Sequence, residues 1–294
     1  MPETTTLPIN QGTDVLRDTQ LTTAGYFTNG AGTLTSANIH TGSLSEANQK
    51  YYQNITQTHT LSSSAATQFS VAYGHVNGSG SFTDSDGIKG PSEVIYKQWG
   101  SLLLGPNEIT GGFKISQQGA AGAISSGNKD EDIYVLVGKR SLFKDRINAG
   151  SWTIALSGSN EDGFAGGSTG SGLLYLTDDS KVEPATATPA GNRYNIISGS
   201  SGAVYSGSGW KTYGYIYPDV GALVFSVSEL SASISGRPEG TTTTASFDVA
   251  LKNNSAGAGA HISHSGFAPN HGKYDTKNAL KFINCLQKPG SYLK

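Results

Sequence analysis

A single cysteine, Cys285, stands in 294 residues, so no disulfide can form within the chain. Its thiol reads as a small buried hydrophobe in a C-terminal helix. Charged residues are scarce as well, 14% here against about 25% in an average soluble protein. The formal net charge is only −2, and no window carries a dense basic run. The nearest approach, Lys139–Arg140 with Lys144 and Arg146, is interrupted by Asp145. Phosphate backbones need a concentrated basic surface, so nucleic acid is not an expected partner. Long apolar runs are missing too. No stretch approaches the ~20 residues of a membrane span, and residues 1–24 lack the basic start and apolar run of a signal peptide. A protein made in a cytosol, with no membrane contact and no cofactor, fits all of these absences.

What is abundant is glycine, 39 residues of it, together with Ser, Thr and Asn. These residues twist the backbone or hydrogen-bond to it locally, which favours turns and short strands over long helices. Fourteen tyrosines and ten phenylalanines are available to anchor a core. Segments with the alternation of a strand, or a short β-branched run, recur along the chain. They are Gln68–Val76, Gly112–Ser116, Asp132–Val137, Ser151–Ser157, Leu173–Thr177, Arg193–Ile197, Tyr213–Tyr217, Ala222–Val227 and Phe247–Leu251. Gly, Pro, Asn and Asp clusters separate them. Two helices interrupt the pattern. One covers Glu93–Leu104, capped by Ser92, with Ile95, Trp99, Leu102 and Leu103 on one face. The other covers Thr276–Leu286, with Leu280, Ile283 and Leu286 on one face. Leu44–Ile55 reads as a short helix or as a turn into a strand. The expected fold is mainly β: a sandwich or barrel-like core with one or two short helices, long Gly/Ser-rich loops and an extended N-terminal arm. The arm is residues 1–24, the main domain 25–235, and 236–294 a C-terminal appendage with a short helix.

Catalytic patterns fail their required context. Gly166–Gly170 matches G-x-S-x-G, but a Gly-rich loop leads into it and a strand follows, where the nucleophile turn needs a strand before and a helix after. Gly209–Thr212 lacks the Gly-Lys adjacency of a phosphate-binding loop. Asp84-Ser85-Asp86-Gly87 begins like a calcium loop, but its twelfth position is Ile95. Asp130–Asp132 and Asp178–Asp179 read as turn formers, and His75 as structural. His261, His264 and His271 form a weak metal-ligand candidate, without a fourth ligand or a rigid frame; solvated loop histidines are the simpler reading. No catalytic residue is assigned, and the chain is expected not to be an enzyme.

The aromatic residues of one short stretch are more informative. Tyr205, Trp210, Tyr213, Tyr215 and Tyr217 crowd together with glycines between them. They are candidates for a protein interface or for stacking sugars, and the competing reading is that alternate rings face the core.

Six segments in order carry a resemblance: QKYYQNI (49–55), VAYGHVNGSGS (71–81), VIYKQWGSLLL (94–104), DIYVLVGKRSLFKDRINAGSWTIALSG (132–158), YNIISGS (194–200) and YGYIYPDVGALVFS (213–226). Each is weakly specific alone. In their order and spacing they resemble virion structural proteins of contractile-tailed phages of marine cyanobacteria, over well more than half of the chain; the last 60 residues do not match. The resemblance implies a tail or baseplate subunit located in the virion, made in the host bacterial cytoplasm. Its partners would be other virion proteins and further copies of itself. It attaches no catalytic residue to the motifs. The alternative is a receptor- or carbohydrate-binding module of the tail that engages a host-surface glycan, and a virion-associated hydrolase ranks last.

Overall fold

The computed structural model describes residues 33–41, 52–58, 66–78, 91–105, 112–115, 129–143, 145–157, 173–205, 211–230, 279, 282–283, 285–286 and 291–294. The arm at 1–24, Phe247–Leu251, Leu280 and the loop histidines lie outside them. Thirteen strands occur among the described residues, every pairing is antiparallel, and the protein is mainly β.

Strands β1 (Leu34–Thr35), β2 (His40–Thr41), β3 (Tyr52–Thr56), β4 (Thr67–His75) and β5 (Asp132–Gly138) come first along the chain. They are followed by β6 (Ile154–Ser157), β7 (Leu173–Asp178), β8 (Thr186–Thr188), β9 (Gly191–Ser200), β10 (Ala203–Val204), β11 (Thr212–Tyr217), β12 (Ala222–Ser226) and β13 (Tyr292–Leu293). The sheet order is β1-β13-β6-β7-β9-β11-β12-β5-β4-β3-β2, with β8 and β10 pairing off β9. Two meanders, β2 to β5 and β6 to β12, therefore meet at the β5–β12 pair.

This order forces curvature. β1 and β2 stand at opposite ends of the sheet, yet only residues 36–39 join them. Laid flat, eleven strands would hold the end strands about 48 Å apart at the usual ~4.8 Å spacing. The connection from Thr35 to His40 reaches at most ~18 Å. The sheet is accordingly a curled half-barrel, the barrel-like of the two expected forms.

Alternation then sorts the side chains. The inner face carries one continuous core drawn from both ends of the sheet, including Leu34, Ile55, Phe69, Tyr134, Leu156, Leu176, Ile216 and Phe225. Buried helical residues near the C-terminus, Ala279, Phe282, Ile283, Cys285 and Leu286, belong to the same core. Phe282 packs its ring 5.1 Å from that of Phe225 and 5.4 Å from that of Tyr134. Cys285, the chain's single cysteine, is buried there as expected. The division at 235 is thus corrected. The end of the chain is no appendage: it plugs the half-barrel and supplies β13 between β1 and β6. A sheet this curled has an interior that its own side chains do not fill, and apolar residues from elsewhere in the chain complete it.

On the outer face, helix α1 (Pro91–Leu103) packs on β4, and its buried residues share a cluster with Phe113, Ile115 and side chains of β5, β11 and β12. Its buried stripe is Ser92, Tyr96, Gly100 and Leu103, while Leu102 is 49% exposed and Trp99 half-buried. Ile95 and Leu103 of the expected stripe are buried too, but the buried face is centred further round, on Tyr96 and Gly100, so Leu102 falls outside it, and Ser92 lies inside the helix rather than capping it. Close approach explains the rotation. Gly74 of β4 lies beneath Tyr96, where a Cβ would stand 3.0 Å from the Tyr96 backbone nitrogen. The Tyr96 hydroxyl donates to the Asp130 carbonyl at 2.7 Å and accepts the Phe113 N–H at 3.2 Å. That bonding also accounts for residues 112–115, which are not a strand. Phe113 and Ile115 are instead buried under α1, their backbone tied to Asp130 and Tyr96. Val227, expected to end a strand, starts the short helix α2 (Val227–Leu230).

Candidate functional site

The outer face beyond α1, over β13, β6 and β7, carries aromatic side chains of another kind. On these strands Ile154, Leu156, Leu174, Leu176 and Leu293 point inward, which turns Tyr292, Ala155 and Tyr175 outward. The registers Tyr292↔Ala155 and Ala155↔Tyr175 put the three in one row across the strands. The small Ala155 in the middle is fully buried, and the flanking rings close over it with centroids 6.2 Å apart.

A third ring is delivered by a turn. After β9 the chain reverses through Ser201 (φ 50°) and Gly202 (φ 74°), both left-handed, as a two-residue hairpin turn with the twist of its strands requires. Its backbone donors are caught from below. The Ser201 N–H donates to Thr153 Oγ1 at 2.9 Å and the Gly202 N–H to Thr177 Oγ1 at 2.8 Å; Thr177 in turn donates to the Trp152 carbonyl. Lys181 donates to the Ser201 carbonyl at 2.7 Å. Held this way, the hairpin returns along β10, and the Tyr205 N–H bonds the Ser198 carbonyl at 3.0 Å. Tyr205 stands edge-on to Tyr175, centroids 6.4 Å apart at 86°, and is 54% exposed. Burial, then the neighbouring phenols of Tyr175 and Tyr205, raise the Tyr292 pKa above the usual tyrosine value, and a hydrogen bond with Ser200 opposes the rise. The Tyr292 phenol is therefore neutral at physiological pH.

Of the five aromatic candidates, Tyr205 alone reaches this patch among the described residues, and Trp210 lies outside them. Tyr215 and Tyr217 are corrected to core residues, 1% and 0% exposed in the outer cluster that also holds Tyr96 and Phe113. The Arg193 guanidinium covers the Tyr215 ring at 4.3 Å, and the Tyr215 hydroxyl donates to the Lys114 carbonyl. Tyr213 should share their face by alternation, but a β-bulge between Thr212 and Gly214 turns it to the inner side. There it lies half-buried with the Lys211 ammonium 5.0 Å from its ring, and Lys211 pairs with Glu229 at 2.9 Å. Tyr175 and Tyr292 were missed by the reading of the sequence. Alternation with Leu174 and Leu176 is the signal that could have found Tyr175, whereas nothing in SYLK at 291–294 marks Tyr292 as part of a sheet.

The acidic residues hold the frame. Asp130 Oδ1 accepts from Ser226 Oγ at 2.7 Å and Oδ2 accepts the Ile115 N–H. Asp178 accepts the N–H groups of Gly150 at 2.7 Å and Ser180 at 3.0 Å, pinning two loops together. Asp179 accepts from both the backbone and the side-chain amide of Asn195, at 2.9 and 2.7 Å. Burial raises the Asp179 pKa to about 6; the Asn195 donors lower it and the adjacent Asp178 adds to the rise. Buried His75 accepts the Asn77 N–H at its Nδ1, which holds a turn. His75 pairs with Asp132 on the inner face, whereas Ser226 lies one row along and on the outer face, so these residues do not form a nucleophile–base pair. Among the described residues no three His, Cys, Asp or Glu side chains gather as metal ligands. His261, His264 and His271, Asp84 and Asp86, and Gly166–Gly170 all lie outside those residues. Among the described residues, too, no helix is long and apolar enough to cross a membrane. No family model, no curated relative and no solved structure matches the chain.

Proposed function

We propose that the chain is a non-catalytic structural subunit of a contractile-tailed phage virion, associated with the tail or baseplate and working through contacts with neighbouring copies and other virion proteins. The observation that carries this reading is on α1. Val94 and Leu102, about 12 Å apart along the solvent side of the helix, are 57% and 49% exposed. They lie within VIYKQWGSLLL, one of the six segments that resemble phage structural proteins. Exposed aliphatic side chains with Lys97, Gln98 and Ser101 around them suit burial against a partner. The acidic groups described above also favour a structural role, since their oxygens are occupied in holding loops rather than facing a cleft.

The test is assembly. The protein should co-purify with tails or baseplates from intact particles, and Val94→Lys/Leu102→Lys should leave a folded protein that no longer incorporates. Absence from purified particles, or incorporation unaffected by the double substitution, would overturn the proposal. So would hydrolysis of cell-wall polymer by the purified chain.

A further inference from the structure

We infer that the corner formed by Tyr175, Tyr205 and Tyr292 is a binding site for an uncharged oligosaccharide. The inference goes beyond the assembly role and does not rest on it, since the two surfaces are separate. α1 packs on β4, and β4 is separated from β7 by β5, β12, β11 and β9 in the sheet order.

Shape is the first argument. The rings do not stack flat; Tyr205 and Tyr175 meet at 86°, and Tyr175 and Tyr292 at 55°. The result is a faceted corner with two successive steps of 6.4 and 6.2 Å, which one ring can floor while the next walls it. Hexose rings present a face of C–H groups that packs on the electron-rich face of an aromatic ring. A corner of three rings offers two such contacts in sequence, a length suited to more than one sugar residue.

Charge is the second. The groups that act on the Tyr292 phenol are Tyr175, Tyr205 and Ser200; no carboxylate and no ammonium is among them. Lys181, on the hairpin beside the patch, is committed to the Ser201 carbonyl. An anionic ligand would need cations aimed at it, and among the described residues none stands over any of the three rings. It does provide hydroxyls, from the three phenols and from Ser200, which lies 3.1 Å from the buried Thr153 hydroxyl. Each can donate or accept, as the rim of a neutral sugar requires.

Third, the corner is pre-formed. Two left-handed turn residues, two threonine hydroxyls and a lysine position Tyr205 before any ligand arrives. Ordering therefore removes little affinity on binding.

The full-length protein should be titrated with neutral trisaccharides (glucose, mannose and N-acetylglucosamine oligomers) and with an acidic trisaccharide, following tyrosine fluorescence and calorimetric heat. Saturable binding of at least one neutral sugar is expected, with no preference for the acidic one. Tyr205→Ala should weaken binding at least tenfold and Tyr205→Phe by less than threefold, with unchanged far-ultraviolet circular dichroism in both. Tyr205 is the most exposed of the three rings, so its removal leaves the core intact. Failure of every neutral sugar to bind at millimolar concentration, or equal affinity of the Tyr205→Ala protein, would overturn the inference. So would a self-associated form that Tyr205→Ala dissociates, since the patch would then be an interface between copies.

Discussion

Substituting Phe282 tests whether the C-terminal segment is part of the core. Its side chain is fully buried, and its ring lies against Phe225 of β12 and Tyr134 of β5, the two strands where the meanders join. Truncating a buried phenylalanine to alanine costs ~3–5 kcal/mol, from lost transfer free energy and the cavity left behind. Two aromatic contacts, each worth ~0.5–1.5 kcal/mol beyond their area, push Phe282→Ala toward the upper half of that range. Domains are stable by only ~5–15 kcal/mol, so the loss is a large share of the total. Urea unfolding followed by circular dichroism should show a strongly lowered midpoint and a single transition. Val182→Ala, at a side chain 51% exposed, is the matched control and should change stability by less than ~0.5 kcal/mol. A Phe282→Ala effect below ~1 kcal/mol would refute the reasoning, because a loosely docked appendage would behave that way.

At the hairpin that delivers Tyr205, Gly202→Ala should destabilise by ~2–3 kcal/mol in thermal or urea melts, from the left-handed φ and a Cβ only 2.7 Å from the Gly150 carbonyl oxygen. Ser201→Gly should stay within ~0.5 kcal/mol of wild type, since relief at φ 50° is offset by a freer unfolded chain. Asp179 should make stability fall as pH rises. Its carboxyl is raised from 3.8 to about 6 in the folded protein, so folding takes up a proton between those values. The associated stability is fully present below about pH 4 and lost as pH rises through 6, at most ~3 kcal/mol in all. The difference between wild type and Asp179→Asn, followed by urea unfolding from pH 4 to 7, should carry that slope; a flat difference would contradict it. Finally, deleting residues 291–294 removes β13, with the Thr153–Lys294 backbone pair and the Ser36–Ser291 bond. Hydrogen exchange should then lose protection in β6 and β1 while the β4–β5–β12 centre keeps it.

The β class and most strand positions were legible in the sequence because alternation is local. Leu174 and Leu176, or Leu223 and Phe225, declare an inner face without reference to any other strand. Three features were not legible, each for a nonlocal reason. The α1 stripe is rotated because Gly74, far away in sequence, admits the helix backbone at Tyr96. Tyr213 leaves the face of Tyr215 and Tyr217 because a bulge adds a residue against Ile196 and Ile197, and alternation within β11 carries no trace of that. The C-terminal segment reads as too short for a core of its own, which is correct; it completes a core made by others.

The tyrosine patch shows the same limit from the other side. Crowding in sequence suggested Tyr205, Tyr213, Tyr215 and Tyr217 as one surface, but strand, bulge and helix divide them among three environments. The rings that do meet, Tyr175, Tyr205 and Tyr292, come from β7, the end of the β10 hairpin and β13. Tyr175 and Tyr292 are brought together by register, through Ala155 between them. Tyr205 is brought by the turn that Thr153 and Thr177 hold. The curvature that lets residues 36–39 join the two ends of the sheet also sets β13 beside β6, so the patch depends on the same closure that buries Phe282. A surface of this kind belongs to the assembled half-barrel and to no single segment of the chain.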